Sequence, residues 1–254
     1  MKTGNEFQKK VYGCWAKRFG CDRDHFVHSG TLIIEDGEHS ETNNMYIYHI
    51  DKMSIVRIAP SLSKQMGLPG RHEGDSVSLT VSGVKSLVGK KYQIERVNTL
   101  RDCFLDPKDF VCFSANGDFT ARRLVPEKDN AHLLSLFNVC TEEDLDGADI
   151  YVDEPDPVIY RMFDGEQLVA YASHRYWDEV IADIGVLIHP SYRGRGLGKT
   201  VVSTLCEWCI QNDVIPMYRV FSDHVHSRRI PQALGFKELV IIETLKVIKK
   251  DGNT

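Results

Sequence analysis

No apolar run in this chain reaches the roughly 18 residues that suggest a membrane-crossing helix. The opening MKTGNEFQKK lacks the greasy core of a secretory signal. A cytosolic protein with no membrane partner is therefore expected. An excess of positive charge is missing too: 31 Lys and Arg stand against 36 Asp and Glu, a formal net charge of −5. That excludes a polybasic nucleic-acid binder, because neutralising phosphates takes clustered cations.

A disulfide framework is also absent. Seven cysteines, at positions 14, 21, 103, 112, 140, 206 and 209, cannot all pair within one chain. Cys206 and Cys209 form a C-x-x-C, yet no second pair completes a metal set. The surrounding VVSTLCEWCI reads as an amphipathic helix with both thiols near its apolar side. Reduced, buried core cysteines are expected there, and no metal. What is present is ordinary globular composition, 42% hydrophobic and 26% charged over 254 residues. A chain of this size buries roughly 70–75% of its unfolded surface and needs no covalent staple.

Residues 31–36 (TLIIED), 45–50 (MYIYHI) and 54–59 (SIVRIA) read as strands, being short and β-branched or aromatic. A helix-like SLSKQM follows Pro60, then a Gly- and Pro-rich loop at 67–75 and a mixed stretch to Phe113. The turn Asn116-Gly117-Asp118 marks a change of pattern. Two domains are expected, 1–115 and 116–254. The second reads as a strand (FTARRLV), a helix (DNAHLLSLFNVC), an acidic loop at 141–157, and three strands (VIYRMF, LVAYASH, IADIGVLIH). A helix from about Leu197 to Gln211, a strand (VIPMYRVFS), a helix near Ser227–Leu234 and a final strand (ELVIIETLKVI) follow. Three consecutive strands predict a hairpin meander, and the strand–helix–strand after it predicts a parallel crossover. The fold class is α+β, a mixed sheet flanked by helices, with a smaller N-terminal α+β domain.

The chemistry sits in the run from Asp183 to Thr200, where a strand enters a glycine-rich turn that opens a helix. Converging N–H groups, missing Cβ atoms and the helix dipole suit such a place to phosphate, and Arg193 and Arg195 add positive charge. A Walker loop would need glycine where Arg193 stands, although Gly198-Lys199-Thr200 supplies its end. A dinucleotide fingerprint fits Gly194 and Gly196 but would need glycine at Lys199.

What remains is R-x-x-G-x-G at Arg193–Gly198, preceded by HPSYRG and followed about thirty residues later by Ser227-Arg-Arg-Ile-Pro-Gln-Ala-Leu-Gly235-Phe236. In order and spacing this resembles the GCN5-related N-acetyltransferases over about residues 119–245. The whole chain is similar, more loosely, to a subgroup with an extra N-terminal α+β domain.

The resemblance implies acetyl-CoA as cosubstrate. Arg193, Gly194, Arg195, Gly196, Leu197 and Gly198 would cradle its pyrophosphate, and the backbone of Val186, Leu187 and Ile188 would pair with its pantetheine arm. It also implies a primary-amine acceptor, small or peptidyl, attacked directly. An alkyl amine of pKa ~10.4 is neutral in only about one molecule in two thousand at pH 7, so a base is useful. Asp183 stands where relatives place one; it is either that base or a structural hydrogen bonder, and Glu179 is the next candidate. His224 occupies the place of a frequent asparagine, and Pro231 that of the tyrosine that serves relatives as general acid. His224, His226 or Tyr218 are the substitutes, although a thiol of pKa ~8.5 leaves without much help. His224 and His226 form an H-x-H without further ligands at metal-binding spacing.

Eight acidic residues and no Lys or Arg lie in the 141–157 loop, which the resemblance puts near the acceptor entrance; such a field draws a cationic amine. A solvated acidic face is the other reading. A non-catalytic acyl-CoA-binding module is the alternative function, because of the Pro231 and His224 departures. For the first 115 residues, shaping the acceptor pocket, forming a homodimer and bracing the sheet are all open.

Overall fold

The computed structural model describes residues 6–37, 43–68, 80–88, 91–114, 119–123, 126–150, 158–222 and 225–250. The chain divides into two compact units that are not consecutive in sequence. One comprises Met1–Asp102, Val220–His224 and Glu238–Thr254; the other comprises Cys103–Arg219 and Val225–Lys237.

The first unit holds helix α1 (Glu6–Phe19), strands β1 (Gly30–Glu35), β2 (Asn44–Ile50) and β3 (Met53–Ile58), helices α2 (Pro60–Met66) and α3 (Val81–Val88), and most of strands β4 (Tyr92–Phe104) and β10 (Lys237–Lys249). Strand order is β1-β3-β2-β10-β4, with β1 parallel to β3 and β2 antiparallel to both β3 and β10. Alternation places Met45, Ile47, Val56, Ile58 and Leu245 on the face that packs against Leu62 of α2 and Val84 of α3. The opposite face brings Tyr48 against Trp15 and Phe19 of α1.

Helices α1 and α3 and strand β4 are elements of this unit that the sequence pattern does not announce. Lys, Arg and a mid-helix Gly13 dilute the apolar stripe of α1. Strand β4 shows only Ile94 buried in its first ten residues, so it has no two-residue rhythm to read.

The second unit contains β5 (Thr120–Arg123), α4 (Pro126–Val139), α5 (Glu142–Gly147), β6 (Val158–Asp164), β7 (Gln167–Trp177), β8 (Ile181–Ile188), α6 (Leu197–Gln211), most of β9 (Ile215–Phe221) and α7 (Val225–Leu234). Strands β6 to β8 form the expected antiparallel meander, β5 pairs antiparallel with β6, and β9 runs parallel to β8 after the α6 crossover. One face of β7 and β8 presents Tyr171 and Leu187 to Leu136 and Phe137 of α4. The other is covered by α6, which contacts β6, β7 and β8. Helix α6 buries Val201, Val202, Leu205, Cys206 and Cys209 along its apolar stripe, so both C-x-x-C thiols are core residues.

Candidate active site

Strand β8 is paired along its whole length with β7, from Trp177 opposite Ile181 to Ala170 opposite Ile188. Toward β9 it is paired over only three residues, ending with Asp183 opposite Met217. From Ile184 to Ile188 the β9-facing edge of β8 therefore carries no ladder among the described residues. Val186, Leu187 and Ile188 lie on that open stretch. Leu187 is buried in the α4 cluster while Val186 and Ile188 are half-buried, so core packing by side chains and an available backbone edge coexist.

Beyond β8 the chain makes a short 3-10 turn at Pro190–Tyr192. The His189 ring accepts from the Ser191 N–H at 3.2 Å, and the Tyr192 hydroxyl donates to Asp164 at 2.8 Å. Gly194 and Gly196 then take φ of 80° and 85°, values that side-chain-bearing residues rarely adopt, and α6 starts at Leu197. A Cβ built on either glycine would meet no atom within 4 Å.

The Lys199 and Thr200 N–H groups bond to the Gly196 carbonyl, whereas those of residues 194–198 find no backbone acceptor among the described residues. Open space, unpaired amides and the positive end of a fifteen-residue helix meet at one point. These residues fit a diphosphate.

The cations of the turn have partners within the protein. Arg193 pairs with Asp144 of α5 at 2.8 Å and reaches the Ile188 carbonyl with Nε at 3.4 Å. Arg195 lies over the Tyr192 ring, 4.6 Å from its centroid, and donates to the Ser191 carbonyl at 3.3 Å. Burial works to raise the Asp144 pKa, but hydrogen bonds from Arg193 and Thr141 outweigh it and hold the carboxyl below its usual range.

Asp144 also closes a capping box with Thr141 at the start of α5. The acidic stretch is thus a helix in its first part, with Glu142, Glu143 and Asp146 exposed; residues 151–157 lie outside the described residues. The end of α5 packs on β8 at Gly185, where a Cβ would come within 2.2 Å of the Ala148 carbonyl oxygen.

Asp183 sits at the point where β8 and β9 part. Its side chain is only 10% exposed and pairs with Arg219 of β9 at 3.3 Å. The Arg219 guanidinium also lies over Trp177, 5.1 Å from the ring centroid. Glu179 is exposed in the tight β7–β8 turn with φ 60°. His224 lies outside the described residues, as does the side chain of His226. Tyr218 is buried against Phe236, and burial raises its pKa far above the ordinary phenol value, so it holds its proton firmly. Pro231 stands inside α7.

Sequence reading took Asp144 only as one acid of the 141–157 loop and did not single out Gly185, Trp177 or Arg219. Only Asp144 left a local signal, the Thr141-x-x-Asp144 cap spacing.

Residues 127–236 match the acetyltransferase (GNAT) family. Over that span the chain is similar to a GNAT domain, and the span includes β8, the glycine turn and α6.

Among solved structures, a GCN5-related N-acetyltransferase from Kribbella flavida is 14% identical, with 68% of this chain and 64% of that one covered at a TM-score of 0.48. An acetyltransferase of the GNAT family from Colwellia psychrerythraea is 15% identical over 65% and 61%, also at 0.48. The chain spans less than two thirds of both. A GCN5-related N-acetyltransferase-like protein from Streptococcus suis is 13% identical, with 96% of this chain and 100% of that one covered at 0.47. No curated protein matches. Among the described residues no three His, Cys, Asp or Glu side chains group as a metal site, and no helix is long and apolar enough to cross a membrane.

Proposed function

We propose that this protein is a cytosolic N-acetyltransferase that moves the acetyl group of acetyl-CoA to a primary amine by direct attack, the catalytic domain being 116–254 and the N-terminal α+β domain 1–115. The observation that carries the reading is the parting of β8 from β9 after Asp183, directly before an open glycine turn at a helix start. The amides of residues 194–198 and the side chains of Arg193 and Arg195 would hold the diphosphate. The backbone of Val186–Ile188 would hold the pantetheine arm as a strand partner. Acetyl-CoA supplies an activated thioester whose thiolate leaves readily, since an unperturbed thiol has a pKa near 8.5.

The protein's own task is then to orient the amine and take its proton. Asp183, next to the parting point and largely shielded from water, is the group for that task. The exposed acids of α5 attract a cationic acceptor before it binds. Pro231 supplies no proton to the leaving thiolate, and the low thiol pKa makes one dispensable.

Calorimetry with CoA and acetyl transfer to a panel of primary amines test this reading. Gly196→Trp and Arg193→Ala are expected to weaken CoA binding at least tenfold. Full binding by Gly196→Trp ends the proposal. The second reading, a CoA-thioester-binding module without turnover, is favoured by Pro231 in α7; product formation with any amine of the panel removes it.

A further inference from the structure

Tyr192 ends the short turn that leads from β8 to the two positive-φ glycines, yet its side chain is held from elsewhere. Its hydroxyl donates to Asp164 at 2.8 Å, and the phenol oxygen lies 3.2 Å from the side-chain amide of Gln167. Asp164 ends β6 and Gln167 opens β7, opposite one another at the tip of that hairpin. The hydrogen bond to Asp164 is the first of the causes that raise the Tyr192 pKa above the ordinary phenol value, so the hydroxyl stays a donor at neutral pH. The Gln167 amide also meets His189 Nε2 at 3.0 Å, and the His189 ring stands edge to face with Tyr192, their centroids 5.4 Å apart. Phe119 adds a second perpendicular ring contact at 6.5 Å. The phenol is thus fixed by the sheet as well as by its own turn.

Over this ring lies Arg195, its guanidinium carbon 4.6 Å from the centroid while one N–H donates to the Ser191 carbonyl at 3.3 Å. The two arginines of the turn differ in one respect. Arg193 pairs with the carboxylate of Asp144, whereas among the described residues no carboxylate pairs with Arg195. An anion reaching the turn displaces nothing acidic to meet Arg195. An exposed arginine otherwise samples many rotamers, and a ligand that fixes one of them must offset the lost entropy. A planar guanidinium stacked on a fixed ring has given up much of that freedom before a ligand arrives, which Lys would not reproduce. Arg195 stands between Gly194 and Gly196, so its charge stays within one side-chain length of the open amides.

We infer that Tyr192 is a positioning residue: anchored at the β6–β7 tip, it holds the Arg195 guanidinium at the rim of the glycine turn as a preset cation for the diphosphate. This rests on the proposed CoA site and adds to it a residue that acts through Arg195. Removing the ring and removing the arginine are then the same loss.

Calorimetry of CoA binding to the full chain tests this, with wild type, Tyr192→Leu, Tyr192→Phe and Arg195→Gln compared, and each Tyr192 variant repeated in the Arg195→Gln background. Thermal midpoints check that every protein is folded. Arg195→Gln is expected to weaken CoA binding about tenfold and Tyr192→Leu about fivefold. Tyr192→Phe keeps the ring without its tie to Asp164 and is expected between wild type and Tyr192→Leu. The double variant Tyr192→Leu/Arg195→Gln is expected to bind within about twofold of Arg195→Gln, since no guanidinium is left to seat. Losses that multiply to about fiftyfold in the double variant overturn the inference, because a ring that only braces the turn acts on the amides whether or not Arg195 is present. Wild-type affinity in Tyr192→Leu overturns it as well. Should Tyr192→Leu not fold, the same cycle is read from Tyr192→Phe, where an affinity equal to wild type or a loss that multiplies with Arg195→Gln overturns the inference. Absence of CoA binding by the folded wild-type protein instead overturns the proposed cofactor site, and the inference falls with it.

Discussion

Arg193, the first residue of the glycine-turn motif, is bound at 2.8 Å to Asp144, a residue of the short acidic helix that also contacts β8 through Gly185. On the proposed reading, a diphosphate held by the turn would compete with Asp144 for this guanidinium. The pair is half-exposed on the Arg side, and screening limits its worth to about 0.5–1 kcal/mol. Asp144→Asn, which keeps a capping side chain, is expected to tighten CoA binding roughly two- to fivefold by calorimetry. Binding unchanged or weaker would show that Asp144 does not compete.

His174 lies on β7 with no exposure, between Tyr176 and Trp208, and neither ring nitrogen has a hydrogen-bond partner within the described residues. Burial lowers its pKa from 6.5 to about 4. Between those values the unfolded chain binds a proton that the folded chain refuses, so stability is lost as pH falls from about 6.5 toward 4. The loss attributable to this group is on the order of 2–3 kcal/mol. His174→Phe is expected to flatten that part of the profile. Calorimetric Tm values for both proteins at pH 4.5 and 7 decide it: an equal acid-side drop in both rules the histidine out.

Three glycines in the second unit separate two physical costs. Gly165 has φ 57° with open space around it, Gly185 has an ordinary φ but the Ala148 oxygen at 2.2 Å, and Gly235 has φ 92° with the Asp109 oxygen at 2.0 Å. Alanine at Gly165 should cost about 1 kcal/mol in backbone strain. At Gly185 it should cost roughly 1–3 kcal/mol in overpacking against backbone. At Gly235 both apply, and the largest fall in Tm is expected there. A Gly185→Ala protein as stable as wild type would mean that α5 does not hold its seat on β8.

Burial raises the pKa of Cys206 well above the usual thiol value and that of Cys209 to about 12, and both lack exposure. The thiolate is the reactive form. Iodoacetamide at neutral pH is expected to label the exposed Cys112 in the native protein while sparing Cys206 and Cys209, which become reactive only in denaturant. Mass spectrometry reads the result; rapid native labelling of either would contradict a core role.

Much of the second unit was legible because its signals are local. A glycine that needs positive φ, a helix that starts beside it and strands with a clean rhythm are all written in consecutive residues. Helix α1 and strand β4 were not, since charged residues interrupt the apolar stripe of α1 and β4 buries only Ile94 in its first ten residues. The roles of Asp144 and Arg219 were hidden for another reason: each matters through a partner on a different element, and nothing in TEEDLDG or MYRVF names that partner.

By itself the chain determined the glycine turn, the helix behind it, the meander and the buried C-x-x-C, because backbone sterics and hydrophobic periodicity act over neighbouring residues. Tertiary structure alone decided where β8 leaves β9, that Arg193 is claimed by Asp144, and that Asp183 meets Arg219 over Trp177. Charge pairing falls off steeply with distance and solvent access, so only the packed sheet and its helices settle which charges meet.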